Sequence, residues 1–177
     1  KYKPDIIINA AAYTDVDGAE LNQNSAFSIN ETGPKLLAVH CSEADIPIIH
    51  FSTDYVFDGL SSVPYKPNDF TSPQTVYGAS KLAGERAIKL YANSYIIIRT
   101  SWVFSRHGKN FLKTMLKLTE SQNKISVVND QFGNPTFSDD IAHTTFMLVT
   151  EALAKRTLQK IFHYGGDTIC SWFDFAN

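Results

Sequence analysis

A doubly wound α/β sheet of parallel strands is the fold class this sequence predicts, on three observations. Its short β-branched runs are apolar without period-two alternation, as in strands covered on both faces. Longer segments of helical periodicity separate those runs, and such alternation builds parallel sheets with right-handed crossovers. The length of 177 residues, 44% of them hydrophobic and 19% charged, suits one domain or slightly more, with roughly two thirds of the unfolded surface buried.

The first strand is expected over residues 6–10 (Ile6-Ile7-Ile8-Asn9-Ala10), the second over 48–52 and the third over 95–99. Shorter strands are expected at 126–128 and 161–164. Helical patterns fill residues 19–30, 34–44, 76–91, 110–120 and 138–154. Pro34 suits a first helical position, whose N–H has no intrahelical partner in any case. Ser138 offers a cap, and Asp139 and Asp140 set negative charge at the positive end of a helix dipole. Ser171 caps a final helix that opens at Trp172. The chain starts at Lys1 with neither initiator methionine nor signal peptide, and the last helix stops within about two turns. Both ends therefore read as cut, and the sequence as an interior piece of a longer protein.

Composition narrows the function. Sixteen basic against 18 acidic side chains give a net charge of −2, which supplies no basic footprint for nucleic acid and no attraction to anionic membranes. No apolar run approaches the roughly 20 residues of a membrane span. Twenty-two aromatic residues and a modest charge exclude disorder. Two cysteines, Cys41 and Cys170, make no disulfide framework, which favours a reducing, cytoplasmic setting. The five histidines show no ligand spacing with each other or with the cysteines, so metal catalysis is not expected. No Gly-x-Ser-x-Gly elbow supports a hydrolase.

In doubly wound sheets, ligands bind at the carboxyl edge of the strands. Three segments rich in small, hydroxyl and aromatic side chains lie there: 9–14, 52–59 and 100–104. Tyr77 and Lys81, spaced i, i+4 at the start of the 76–91 helix, share a face with Cβ atoms about 6 Å apart. A phenol titrates near 10, and proton transfer at neutral pH asks for a pKa lower by about three units, or about 4 kcal/mol. An ammonium one turn away has the sign of charge to supply much of that. Read alone, the pair fits an ordinary solvated helix face better than a catalytic one. Thr53, at a strand end, can donate to a carbonyl or alkoxide, or with Asp54 can simply open a turn. Ala10, Ala11 and Ala12 allow close approach of a flat ligand, or tight strand–helix packing. Trp102 can stack on a planar ring or sugar face, or fill a core. None of the nine glycines forms a G-x-G-x-x-G array after a strand, so any pyrophosphate loop is expected upstream of Lys1.

Together these strings resemble the extended short-chain dehydrogenase/reductase family, and within it the nucleotide-sugar 4-ketoreductases, over nearly all 177 residues. The resemblance rests on Asn9-Ala10-Ala11-Ala12-Tyr13-Thr14, on Ser52-Thr53-Asp54-Tyr55-Val56-Phe57-Asp58-Gly59, and on Val76-Tyr77-Gly78 with Ser80-Lys81-Leu82-Ala83-Gly84-Glu85. Arg99-Thr100-Ser101-Trp102-Val103 and Asp130-Gln131-Phe132-Gly133-Asn134-Pro135-Thr136 extend it. It implies a Rossmann-like sheet truncated at both ends: residues 1–154 as an incomplete dinucleotide-binding domain, and 155–177 as the start of a substrate-binding part.

The implied reaction is NADPH- or NADH-dependent reduction of the C4 ketone of a dTDP-4-dehydro-6-deoxyhexose to dTDP-L-rhamnose, for cell-surface polysaccharide. Tyr77 is implied as the acid, Lys81 as the group that holds the nicotinamide ribose and lowers the phenol's pKa, and Thr53 as the carbonyl partner. Ala11, Ala12, Tyr13, Thr14 and Phe51 are implied to line the cofactor with Tyr77 and Lys81. Thr53, Asp54, Tyr55 and Trp102 are implied to meet the sugar nucleotide. Dehydratases of the superfamily carry Thr-Asp-Glu where this sequence has Thr53-Asp54-Tyr55, so reduction is favoured over water elimination. Some family members are magnesium-bridged homodimers, and Asp139 lies near a matching ligand position, with too little of that site present to assign a metal. Two alternatives stand: a non-catalytic module resembling the regulatory subunit of methionine adenosyltransferase, which binds NADP on this fold, or another nucleotide-sugar epimerase or dehydratase.

Overall fold

The computed structural model describes residues 3–155 and 157–177. The chain divides into two compact units made of interleaved segments. One comprises Lys1–Arg99 and Met147–His163, the other Thr100–Phe146 and Tyr164–Asn177.

The first unit is built on a four-stranded sheet. Its strands β1 (Ile7–Asn9), β2 (Ile48–Thr53), β3 (Tyr95–Thr100) and β7 (Gln159–His163) lie in the order β1-β2-β3-β7. β1 and β2 run parallel with Asn9 beside His50, and β3 and β7 run parallel with Arg99 beside His163. The polar residues that end each apolar run are thereby gathered at the carboxyl edge. Ile48, Tyr95 and Ile97 pack on Ile88 of α4 (Val76–Tyr91) and on Ala38 and Cys41 of α3 (Gly33–Glu43). Burying such side chains contributes roughly 1.5–3 kcal/mol each.

α4 occupies the residues its periodicity predicts. It begins at Thr75, whose side-chain oxygen accepts the Gly78 N–H at 3.0 Å and so satisfies one of the free donors of the first turn. The helix expected over 19–30 is instead three pieces: α1 (Val16–Leu21), α2 (Gln23–Phe27) and a π-helical turn, Ser28–Thr32. Asn22, at φ −126° and ψ 48°, breaks the first from the second. Pro34 lies in the first turn of α3, as its missing N–H requires.

The second unit is held by two-residue strands and aromatic packing. β4 (Val103–Phe104) pairs in parallel with β6 (Thr136–Phe137), and β5 (Phe132–Gly133) pairs antiparallel with β8 (Cys170–Ser171). Asn110 caps α5 (Phe111–Thr119) by accepting the Lys113 N–H at 3.1 Å. Ser171 caps α7 (Trp172–Ala176) in a reciprocal box with Asp174, as expected from its sequence. α6 (Ser138–Ala154) also spans its expected residues; the Ser138 hydroxyl donates to the Asp139 carboxylate at 3.2 Å. Residues 126–128, expected as a strand, are not one, and the Val128 carbonyl accepts the Phe173 N–H. No helix among the described residues is long and apolar enough to cross a membrane.

Candidate active site

β2 delivers Thr53 and α4 delivers Tyr77 and Lys81, and the first unit brings these groups together. The Thr53 side chain is 5% exposed and acts to lower the pKa of the Tyr77 phenol. Its hydroxyl donates to Asp54 Oδ1 at 3.0 Å and accepts the Tyr55 N–H at 3.2 Å. The Tyr55 N–H contact caps a single 3₁₀ turn, Asp54–Val56. Tyr55 sets its ring edge-on to that of Tyr77, centroids 5.5 Å apart. The turn lies against the start of α4 so closely that a Cβ on Gly78 would overlap the Tyr55 carbonyl. Glycine at that position is what lets α4 start against the turn that follows Thr53.

Lys81 is buried, and its Nζ donates to the Phe51 carbonyl of β2 at 2.7 Å. Burial pushes its pKa down to about 8, while the Glu85 carboxylate pulls it back up. The sequence expectation for Tyr77 is corrected here. Burial raises the phenol's pKa, the Thr53 hydrogen bond opposes that rise, and the Asp54 and Tyr55 charges add to it. With its ammonium directed at a backbone carbonyl and itself penalised by desolvation, Lys81 does not set the phenol's pKa in this state.

Asn30 is the residue that sequence reasoning missed. Fully buried in the π-helical turn, it accepts the Tyr13 N–H at 2.8 Å and donates to the Tyr13 carbonyl at 3.0 Å. It also donates to Ser80 Oγ at 2.9 Å, and Ser80 donates onward to the Tyr77 carbonyl at 2.7 Å. One side chain thus ties the loop after β1 to the first turns of α4. At the loop's start Asn9 accepts the Ala11 N–H at 3.2 Å, and its Nδ2 lies 3.0 Å from His50 Nδ1. Ala10, Ala11 and Thr14 are exposed, with Ala12 and Tyr13 half-buried. Its partners Tyr13 and Ser80 lie 17 and 50 residues away, so no local sequence signal marks it.

Behind Lys81 stands Glu85, 1% exposed, in a two-pronged ion pair with Arg99 of β3 at 2.8 and 2.7 Å. Arg99 also donates to the Pro67 carbonyl at 3.1 Å and sits 5.0 Å over the Phe57 ring. Phe57 stacks on Tyr65, whose hydroxyl donates to Asp58. The segment that follows Thr53 is therefore fastened to the strand ends through one guanidinium.

Trp102 belongs to the second unit. Its planar partner is Trp172, with ring centroids 3.5 Å apart and planes 12° from parallel, and its φ of 47° is left-handed. A Cβ on Gly133 would press into the Trp102 ring, so glycine leaves room for the indole. Asp139 pairs with Arg106 at 3.2 Å. Among the described residues no group of three or more His, Cys, Asp or Glu side chains is arranged to hold a metal.

A parallel sheet with a Thr–Tyr–Lys set at its carboxyl edge defines a Rossmann-like protein of the extended short-chain dehydrogenase/reductase class. Comparison with known proteins narrows the class further. The chain belongs to the RmlD substrate binding domain family, which matches residues 1–177. It is 46% identical over 176 residues to the dTDP-4-dehydrorhamnose reductase of Aggregatibacter actinomycetemcomitans, covering 99% of this chain and 60% of that one. A crystal structure of a dTDP-4-dehydrorhamnose reductase ortholog from Clostridium acetobutylicum superposes with a TM-score of 0.92 at 40% identity, over 98% of this chain and 60% of that one. The Bacillus anthracis dTDP-4-dehydrorhamnose reductase, solved in complex with NADP, superposes with a TM-score of 0.89 at 39% identity, again over 98% and 60%. The chain thus spans about 60% of the length of these relatives.

Proposed function

We propose that this chain carries the catalytic groups of a dTDP-4-dehydrorhamnose reductase, which reduces the C4 ketone of its sugar nucleotide at the expense of NADPH or NADH. The observation that carries the reading is that Tyr77 and Lys81, one helical turn apart on α4, both meet the end of β2, where Thr53 lies: Lys81 donates to the Phe51 carbonyl at 2.7 Å and the Tyr77 ring sits edge-on to that of Tyr55. The Aggregatibacter actinomycetemcomitans protein that bears that name is 46% identical to this chain.

The residues present fit the nicotinamide half of such a cofactor. The exposed run of Ala10 and Ala11 leaves backbone open at the end of β1. The buried Lys81 ammonium gives one N–H to Phe51 among the described residues and retains others for ribose hydroxyls. Ala12, Tyr13, Thr14 and Phe51 border the same strand ends. When bound, the reduced nicotinamide supplies hydride to the carbonyl carbon. Tyr77 then gives its phenolic proton to the ketone oxygen, while Thr53 holds that oxygen and Lys81 fixes the ribose. Asp54, Tyr55 and Trp102 are assigned to the sugar nucleotide on the family resemblance. Tyr55 stands where a dehydratase needs a second acid, which favours reduction over elimination.

The test is cofactor oxidation by the full-length protein with the dTDP-4-keto sugar. Tyr77→Phe is expected to lower kcat by about 10²–10⁴-fold, the usual contribution of a general acid. A variant with normal kcat would show that another group protonates the oxygen.

A further inference from the structure

Residues 57–75 join the two segments that carry the catalytic groups. They leave the 3₁₀ turn Asp54–Val56 just after Thr53 and end at Thr75, the cap of α4, two residues before Tyr77. The stretch holds no helix or strand, and connections of that length without structure of their own are uncommon in compact domains. What fastens it is the carboxyl edge of the sheet. His163 Nδ1 lies 3.0 Å from the Tyr65 carbonyl, and Arg99 Nη1 donates to the Pro67 carbonyl at 3.1 Å. His163 and Arg99 are register neighbours on β7 and β3, with His163 Nε2 3.4 Å from Arg99 Nη1. Phe57, at the start of the segment, stacks on Tyr65 at 4.3 Å and meets the His163 ring at 75°, centroids 5.6 Å apart.

These contacts fix the protonation of the histidine. A guanidinium has donors only. Arg99 Nε and Nη2 are engaged by Glu85, and Nη1 faces Pro67 and His163. His163 Nε2 is therefore the acceptor and carries no proton. Nδ1 faces a carbonyl, which only accepts, and is the nitrogen that holds the proton. The imidazole is thus neutral and bonded at both ends. A second proton, on Nε2, would remove the acceptor and set an N–H and a positive charge against the guanidinium.

We propose that His163 is a positioning residue of the reduction: in its neutral form it clasps residues 57–75, and with them the spacing of the Thr53 and Tyr77 segments, and its protonation opens the clasp. The inference rests on the reductase reading above and adds a residue outside the Thr–Tyr–Lys set. The charges that face the ring are Arg99 on β3, Glu85 on α4 and Asp69 within the segment itself. Desolvation and then the Arg99 charge lower the His163 pKa, against the Tyr65 carbonyl and the two carboxylates. The clasp therefore holds at neutral and alkaline pH and weakens as pH falls below about 6.5, where a released imidazole takes up its proton.

Hydrogen exchange of residues 57–75 in the full-length protein, corrected for the intrinsic pH dependence of exchange, reads the clasp without substrate. Cofactor oxidation with the dTDP-4-keto sugar reads its consequence. Between pH 7.5 and 5.5 the protection is expected to fall about tenfold, the effect of one group a unit below its released pKa, and kcat/KM to decline over the same range. His163→Gln keeps a donor and an acceptor on one amide and does not titrate. It is expected to retain most of the protection at pH 7.5 and to lose the acid decline in both readouts. His163→Leu removes both bonds and is expected to lower protection about tenfold at every pH. Protection that does not respond to pH, or an undiminished acid decline in His163→Gln, overturns the clasp. A clasp that opens while kcat/KM stays level overturns the positioning role. A protein whose clasp opens as expected but which never turns over the sugar overturns the reductase reading instead.

Discussion

Gly84 of α4 lies directly against the carbonyl of Asn30, so close that a Cβ on the glycine would overlap that oxygen. The Asn30 side chain meanwhile holds Tyr13 and Ser80. The contact between α4 and the π-helical turn thus fixes the spacing between the loop after β1 and the helix that bears Tyr77 and Lys81. Gly84→Ala is expected to destabilise the fold by about 1–3 kcal/mol, the usual cost of forced overpacking. Urea denaturation reads the stability. A KM increase for the nicotinamide cofactor should accompany it, because the loop and Lys81 shift together.

The Glu85–Arg99 pair is a buried charge cluster whose removal should be strongly asymmetric. Glu85→Gln leaves the buried Arg99 guanidinium without its carboxylate, beside the Pro67 carbonyl, His163 and the Phe57 ring, and is expected to cost about 3–5 kcal/mol. Replacing both partners at once, Glu85→Leu with Arg99→Met, should recover most of that loss. A double-mutant cycle by chemical denaturation checks both, and a double variant no more stable than the single one would contradict the pairing account.

Lys81 is expected to weaken the fold it serves. Its folded pKa of about 8 lies below the unfolded value of 10.5, so the folded state disfavours the charged form. The penalty is complete below about pH 8 and is relieved as pH climbs toward 10.5. A displacement of that size corresponds to about 3 kcal/mol, less the hydrogen bond to Phe51. Lys81→Met should therefore stabilise the protein by about 1–2 kcal/mol at pH 7 while abolishing turnover, and the gain should vanish near pH 10. A variant less stable at pH 7 than the parent would refute this.

His50 works in the opposite pH range. Burial, with the Lys81 charge added, lowers its pKa to about 3 from 6.5. The folded state holds it neutral, so its share of stability is present above pH 6.5 and lost as pH falls toward 3. Replacing it by Asn should flatten the acid loss of stability below pH 6.5 by at most one proton per molecule, measured as the slope of unfolding free energy against pH.

What the sequence disclosed about this fold follows from the range of the forces involved. α4 and α6 match their expected spans, because helical spacing of apolar residues is a local signal. The strands that carry Asn9, Thr53 and Arg99 were legible as uninterrupted apolar runs that end in a polar residue. Val127 and Val128 show the limit: β-branched residues make a strand only where a neighbour offers hydrogen bonds. The two-residue strands, such as Phe132–Gly133, carry no periodicity at all. Tyr77 and Lys81 were readable as an i, i+4 pair, yet the direction of the phenol's pKa depended on burial that spacing does not encode. Asn30 and the Glu85–Arg99 pair act across tens of residues of sequence, so only the folded arrangement reveals them.

The face-to-face indoles of Trp102 and Trp172 have an optical consequence. They are the two tryptophans of the chain, and both belong to the second unit. Ultraviolet emission excited selectively at the red edge of absorption therefore samples that unit alone, and the first unit is dark. At 3.5 Å separation the transition moments couple, so an exciton doublet in the far-ultraviolet dichroism should disappear when the stack opens. Any reorganisation of the second unit thus carries its own built-in chromophore.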